Sequence, residues 1–241
     1  ARDALEAENA SYYGMYENFD EAIHPAVIAQ QATDFLYRGD IPREQTTIVG
    51  GGYGIARYVR RWLRGYRAGQ IINGAYHFAA IGPDVAFAVG TATAVREGAG
   101  VQAAYKGAPI MSFTGDGGFG FSGFELETQA RYRLPVVNIL YSNNAWGTWT
   151  GAASSPIHLP IHLMQENLRY DKLAEGLGAH GEYVNQPSQF LPALQRAWAI
   201  AENESRPSLI VCQGKKEFWD RSLYEPGFLG KVEPGVMAYY H

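Results

Sequence analysis

The chain has 241 residues, 46% of them hydrophobic and 18% charged, with a formal net charge of −4. That balance supports a sizeable buried core for one large α/β domain, and the lack of any long basic run argues against a nucleic-acid partner. A single cysteine, Cys212, excludes a disulfide framework within the chain and fits a reducing cytoplasm, and no apolar run reaches membrane-spanning length.

Residues 1–23 are polar and charged and read as a lead-in or linker, with helical spacing near Leu5. Apolar residues at Val27, Ile28, Ala32, Phe35 and Leu36 predict a helix over Pro25–Arg38. A short strand at Thr46–Val49 runs into Gly50-Gly51-Gly52, and a helix is expected near Ile55–Tyr66. Asp84–Glu97 reads as an apolar, buried helix. Ala108–Thr114 is an apolar strand ending at Gly115-Asp116-Gly117-Gly118, followed by a helix over Phe124–Arg133. Pro135–Tyr141 is a strand, apolar apart from Asn138, that stops at Asn143-Asn144. Helices over Asn167–Leu177 and Pro187–Glu202 flank a short strand near Tyr183, and Ser208–Cys212 is the last strand. The alternation predicts a parallel sheet with helices on both faces, spanning residues 24–213. Residues 214–241 mix aromatic residues, Gly and Pro without periodicity and read as an irregular C-terminal arm, a tail or lid.

The three polar turns fall at carboxyl ends of strands, where ligands bind in such sheets. Gly115-Asp116-Gly117-Gly118 puts an aspartate on a glycine turn that opens a helix. Glycines let backbone N–H groups approach an anion, and the helix start favours negative charge. Asp116 would repel a phosphate unless a cation lay between them, and magnesium bridges carboxylates to phosphates. The interval from Asp116 to Asn143 holds one helix and one strand, which returns the chain to the same sheet edge.

Gly115-Asp116-Gly117, a helix, Leu134-Pro135 and Asn143-Asn144, in this order and spacing, resemble the diphosphate-binding signature of thiamine diphosphate enzymes. The resemblance implies Mg2+ held by Asp116, the Asn143 side chain and the Ala145 carbonyl. It also implies backbone N–H groups of Gly117, Gly118 and Phe119 on the diphosphate, with Gly115, Trp146 and Gly147 alongside. Aligned on Leu134-Pro135, Asn143 rather than Asn144 takes the metal position. Ile81, in Ala79-Ala80-Ile81-Gly82, falls where the family wedges an apolar residue under the cofactor; the alternative is a core isoleucine. Tyr53, in the Gly50–Gly54 turn, is a candidate phosphate or substrate contact.

The runs Gly118–Thr128, Arg131–Pro135 and Arg169–Gly178 resemble the 2-hydroxyacyl-CoA lyase and oxalyl-CoA decarboxylase branch. This implies an acyl-CoA substrate and a carbon–carbon bond made or broken beside the thioester. The Asn143–Gly147 loop lacks the tyrosine of the decarboxylases and carries Trp146, with Trp149 following, which favours a lyase. A 2-keto acid decarboxylase or acetolactate synthase-like carboligase is the enzymatic alternative, and a non-catalytic assembly domain the third. The activating glutamate of such enzymes sits on a pyrimidine-binding domain, and no second copy of the fold is read here. That domain is expected on a second chain or a missing N-terminal part, in a homo- or hetero-oligomer. Glu125 and Glu127 read as surface or packing residues, and Arg57, Arg60, Arg61, Arg64 and Arg67 as a solvated basic face or a CoA-phosphate contact. His77 reads as a hydrogen-bonded structural histidine or a substrate neighbour; His158 and His162 are set aside as metal ligands because Pro156 and Pro160 disfavour a regular helix there.

Overall fold

The computed structural model describes residues 2–73, 80–146 and 163–215. Its helices are α1 (Arg2–Tyr16), α2 (Pro25–Arg38), α3 (Tyr53–Trp62), α4 (Asp84–Glu97), α5 (Asp116–Ser122), α6 (Glu125–Arg131), α7 (Tyr170–Gly176) and α8 (Pro187–Glu204). Its strands are β1 (Ile48–Gly50), β2 (Ile71–Asn73), β3 (Ile110–Gly115), β4 (Val136–Ser142), β5 (His180–Val184) and β6 (Ser208–Gln213), and a short 3-10 segment covers Gly100–Tyr105. The six strands form one sheet in the order β2-β1-β3-β4-β6-β5, and every neighbouring pair is parallel. The expected α/β architecture is therefore present.

Strand residues alternate between two cores, as the pleat requires. Met111 and Phe113 of β3 and Val137, Ile139 and Tyr141 of β4 pack with Ile28 of α2, Ile55 of α3 and Leu194 of α8. On the opposite face, Leu140, Leu209 and Val211 meet Val85, Leu126 and Ala174, while Ile110 and Val136 meet Ala88 and Ala92. Both faces are covered, which is why β3, β4 and β6 read as almost unbroken apolar runs. The chain leaves β1 toward β2 at one edge, then returns beside β1 as β3 and proceeds outward to β4. The carboxyl ends of β1 and β3 thus flank the point where the winding reverses, the place where such sheets take ligands.

Local chemistry sets several boundaries. The His24 ring accepts the Ala26 N–H at 3.1 Å, with Pro25 opening α2. Gln186 and Gln189 cap α8 reciprocally, and Gly98 closes α4 in the left-handed region.

Three features depart from the sequence reading. The lead-in segment contains α1, whose Tyr12 is buried against Tyr58 and whose Asn9 and Glu8 hold Arg61. Few apolar residues mark it because only one narrow face is covered. Helix α3 stops at Trp62 because Leu63 is extended. Strand β2 was not anticipated; three half-exposed residues at a sheet edge carry little pattern. Residues 216–241, expected as a tail or lid, lie outside the described residues. Among those described, no helix is long and apolar enough to cross a membrane.

Asn138, the polar exception in β4, has a structural reason. Its amide donates to Gln129 Oε1 at 2.8 Å and to the Ser208 carbonyl at 3.1 Å, while Gln129 donates to the Val85 carbonyl at 3.3 Å. This network pins α6 to the sheet and to α4 from within the core. Asn138→Val strands the Gln129 oxygen and is expected to cost about 1–3 kcal/mol. The loss should appear as a lower urea midpoint, partly restored by adding Gln129→Leu.

Candidate functional site

One cleft opens over the carboxyl ends of β1, β3 and β4. Tyr53, Ile81, Gly115, Asp116, Gly117, Gly118, Asn143, Ala145 and Trp146 all line it. Those nine were expected from the sequence. Gly52 and Gly54, from the same expected turn as Tyr53, line it as well, as do Ile55 and Tyr141, which were not expected. Phe119 does not: its ring is core, stacked edge-on to Tyr170 at 5.2 Å, which leaves only its backbone N–H for the role assigned to it. Gly147 lies outside the described residues, as do His77, Trp149, His158 and His162.

The cleft is built from turns that touch through backbone. Gly52 has φ +73, and a Cβ added there would stand 2.5 Å from the Gly115 nitrogen. Only glycine lets the turn after β1 lie against the turn after β3. Strand β3 then delivers Asp116 as the first residue of α5. Its Oδ1 accepts the Gly117 N–H at 2.8 Å. Its Oδ2 accepts the Asn144 N–H at 2.7 Å and the Ser142 hydroxyl at 3.3 Å, and the Ala145 N–H also points to the carboxylate. The loop after β4 is therefore folded around Asp116. Asn144, at φ 57, turns that loop, so Asn143 lines the cleft and Asn144 does not.

Apolar groups form the opposite wall. Ile81 is 39% exposed and borders the cleft, so it is not the plain core residue that was the alternative. Next to it Gly82, at φ +97, leaves no room for a Cβ against Phe121. Phe121 meets Trp146 edge to face at 5.5 Å. At the rim, the Arg57 guanidinium lies 4.0 Å over the Tyr53 ring and bonds its hydroxyl.

The arginines do not form one basic face. Arg61 pairs with Glu8, Arg64 reaches Glu6 at 3.9 Å, and Arg67 bonds the Glu44 carbonyl and the Thr47 hydroxyl. On α6, Glu127 pairs with Arg131, and neither Glu125 nor Glu127 lines the cleft.

Sequence reasoning missed Asp84, at the start of α4 behind the cleft. It is fully buried, and its Oδ2 accepts the Gly52 N–H and the Thr114 hydroxyl, each at 3.0 Å. Its only signal was an acid in a first helical turn, which is ordinary. Burial pushes both Asp84 and Asp116 up to about 6, against the hydrogen bonds each accepts. An unfolded aspartate titrates near 3.8, so the folded chain binds more protons between that value and about 6. Stability then falls as pH rises through this window. The thermal midpoint of the unliganded protein is expected to rise as pH is lowered from about 7 toward 5. Asp116→Asn should flatten that slope; an unchanged slope in the variant would contradict the assignment.

Comparison with known proteins identifies a family. The family described as thiamine pyrophosphate enzyme, C-terminal TPP binding domain, matches residues 53–212. A probable acetolactate synthase of Mycobacterium bovis is 28% identical over 179 residues, 73% of this chain and 29% of that protein. The 2-hydroxyacyl-CoA lyase of Saccharomyces cerevisiae is 30% identical over 109 residues, 45% of this chain and 19% of that protein. The oxalyl-CoA decarboxylase of Escherichia coli K12 is 35% identical over 113 residues, 44% of this chain and 18% of that protein. The chain thus spans less than a third of the length of these relatives. The matched segment runs from the first residue of α3 into β6 and carries Asp116, Asn143 and the Gly115–Gly118 turn together: the chain belongs to the thiamine pyrophosphate enzyme family, as its C-terminal TPP-binding domain.

Proposed function

We propose that this chain is the diphosphate-binding part of a thiamine diphosphate-dependent 2-hydroxyacyl-CoA lyase. The enzyme would cleave or form the carbon–carbon bond beside an acyl-CoA thioester, giving or consuming formyl-CoA and an aldehyde or ketone. The observation that carries the cofactor half of this reading is the convergence of Asp116, Asn143 and Ala145 on one cleft walled by glycines. A metal here would take oxygen from the Asn143 amide and the Ala145 carbonyl beside the Asp116 carboxylate, all of which line the cleft. That donor set suits magnesium, which accepts such oxygens together with phosphate. A buried carboxyl displaced to about 6 also gains from a cation.

Bound in the cleft, the cofactor would supply an electron sink for the carbanion formed beside a carbonyl. The chain's own groups do the rest. Gly118 would offer its backbone N–H to an anion, while the Gly117 N–H is held by Asp116 Oδ1. Asp116 and Asn143, with the Ala145 carbonyl, would fix the metal against it. Ile81 would support the cofactor from below, and Trp146 with Phe121 would keep water from the reacting carbon.

In this reading, proton activation is assigned to a glutamate on a pyrimidine-binding domain. Large apolar side chains are exposed: Phe121, against the cleft residue Trp146, is 66% exposed, Phe124 on the following turn 72%, and Phe87 of α4 45%. Such exposure supports cover by a partner domain, within a homo- or hetero-oligomer. A cytoplasmic location belongs to the same reading.

The acyl-CoA half rests on the runs Gly118–Thr128 and Arg169–Gly178 and on the likeness to the yeast lyase. A carboligase of the acetolactate synthase kind is the second reading, favoured by the larger share of this chain that the mycobacterial relative matches. Turnover of a 2-hydroxyacyl-CoA, with none of the free 2-keto acid, is the expected result; equal turnover of both would sink the lyase. Calorimetry on the chain with its co-purifying partner should show magnesium-dependent binding of thiamine diphosphate. Asp116→Ala is expected to weaken that binding at least ~100-fold. Unchanged affinity in the variant would remove the cofactor assignment.

A further inference from the structure

The turns after β1 and β3 belong to different strands, yet one anion can use both only if they keep a fixed separation. A single side chain joins them. Asp84 bonds the Gly52 N–H in the first turn and the Thr114 hydroxyl at the entrance to the second. The space around it is made for a carboxylate. A Cβ added at Gly51 would lie 1.9 Å from Oδ1, and one added at Gly118 would lie 3.4 Å from Oδ2. Oδ1 itself is buried with no hydrogen-bond partner. A buried carboxylate with one unpaired oxygen is a costly way to fill this volume, since burial disfavours its charge and leaves an acceptor unsatisfied. Near a diphosphate its charge is a further disadvantage. What the group supplies is reach: one oxygen that accepts two donors from two segments.

We propose that Asp84 is the positioning residue of the diphosphate cradle, fixing the Gly52 turn against the Thr114–Gly118 turn so that both turns border the same anion. This rests on the reading that the cleft takes thiamine diphosphate. Geometry, rather than charge, is the contribution. An asparagine oxygen accepts the same two bonds while its amide nitrogen takes the place of the unpaired oxygen. Alanine accepts neither.

The test is calorimetric titration of the full chain, with its partner, using magnesium pyrophosphate and, separately, thiamine diphosphate. Asp84→Asn is expected to bind both at least as tightly as the wild type, because the bonds stay and a negative charge goes. Asp84→Ala should bind both about tenfold more weakly, the effect of two lost hydrogen bonds. Thr114→Val, which keeps Asp84 and removes one donor, should weaken pyrophosphate binding about threefold. That variant carries the test if Asp84→Ala does not fold. Wild-type affinity in Asp84→Ala or in Thr114→Val, measured below the melting point, overturns the proposal. A fall in Asp84→Asn as large as in Asp84→Ala also overturns it, since charge would then matter and geometry would not. Failure of the wild type to bind either ligand removes the cofactor reading and this proposal with it, whereas tight wild-type binding with unaffected variants removes this proposal alone.

Discussion

Asp116 leaves β3 into a space where a carboxylate is costly to bury, and the loops of the cleft are arranged around that cost. Burial moves its carboxyl up to about 6. Donors from two separate segments offset the penalty: Gly117 on its own turn, and Ser142 at the end of β4 with Asn144 and Ala145 of the loop that follows. Those bonds draw the β4 loop over the end of β3. They leave Asn143 and the Ala145 backbone on the wall that Asp116 shares. The metal ligands implied by the family are thus brought together by hydrogen bonds to one of their own number. A cation is the natural counter-charge for such a group.

Close backbone approach is the second constraint. Gly52 and Gly82 stand where a side chain would strike the neighbouring turn or Phe121, and Gly118 lies close against Gly82. The clearances follow from parallel strands lying side by side at the reversal point, where β1 and β3 both discharge their turns into the same crevice. A diphosphate needs several N–H groups within reach at once, and bare backbone provides them. Asp84 then holds the two turns in register from behind.

The apolar wall points outward. Ile81 and Trp146 line the cleft while remaining 39% exposed each, and Phe121 beside them is more open still. Side chains of this kind are costly to leave in water and useful where a second surface closes over a reaction. Such a wall fits a domain that supplies one half of a site in the function proposed above. The share of each relative that the chain covers is consistent with that reading.

Much of this was legible in the sequence. Helices α2 and α4 have the predicted ends, because one carries clear periodicity and caps and the other is bounded by Asp84 and Gly98. The order of strands and polar turns was readable because both-face burial makes β3, β4 and β6 apolar throughout. The glycine and Asp-to-Asn spacing named most of the cleft, since an anion site needs bare backbone and a metal needs oxygen at fixed places along the chain. Helix α1 and strand β2 were not legible, because each covers or completes only an edge and leaves too few apolar positions to show a period. Asp84, Tyr141 and the inward core position of Phe119 were not legible either. Their roles depend on which segments meet across the sheet. The sequence determines which residues can serve an anion and a metal; only the tertiary structure decides which of them face the cleft, because facing is set by contacts between residues far apart in the chain.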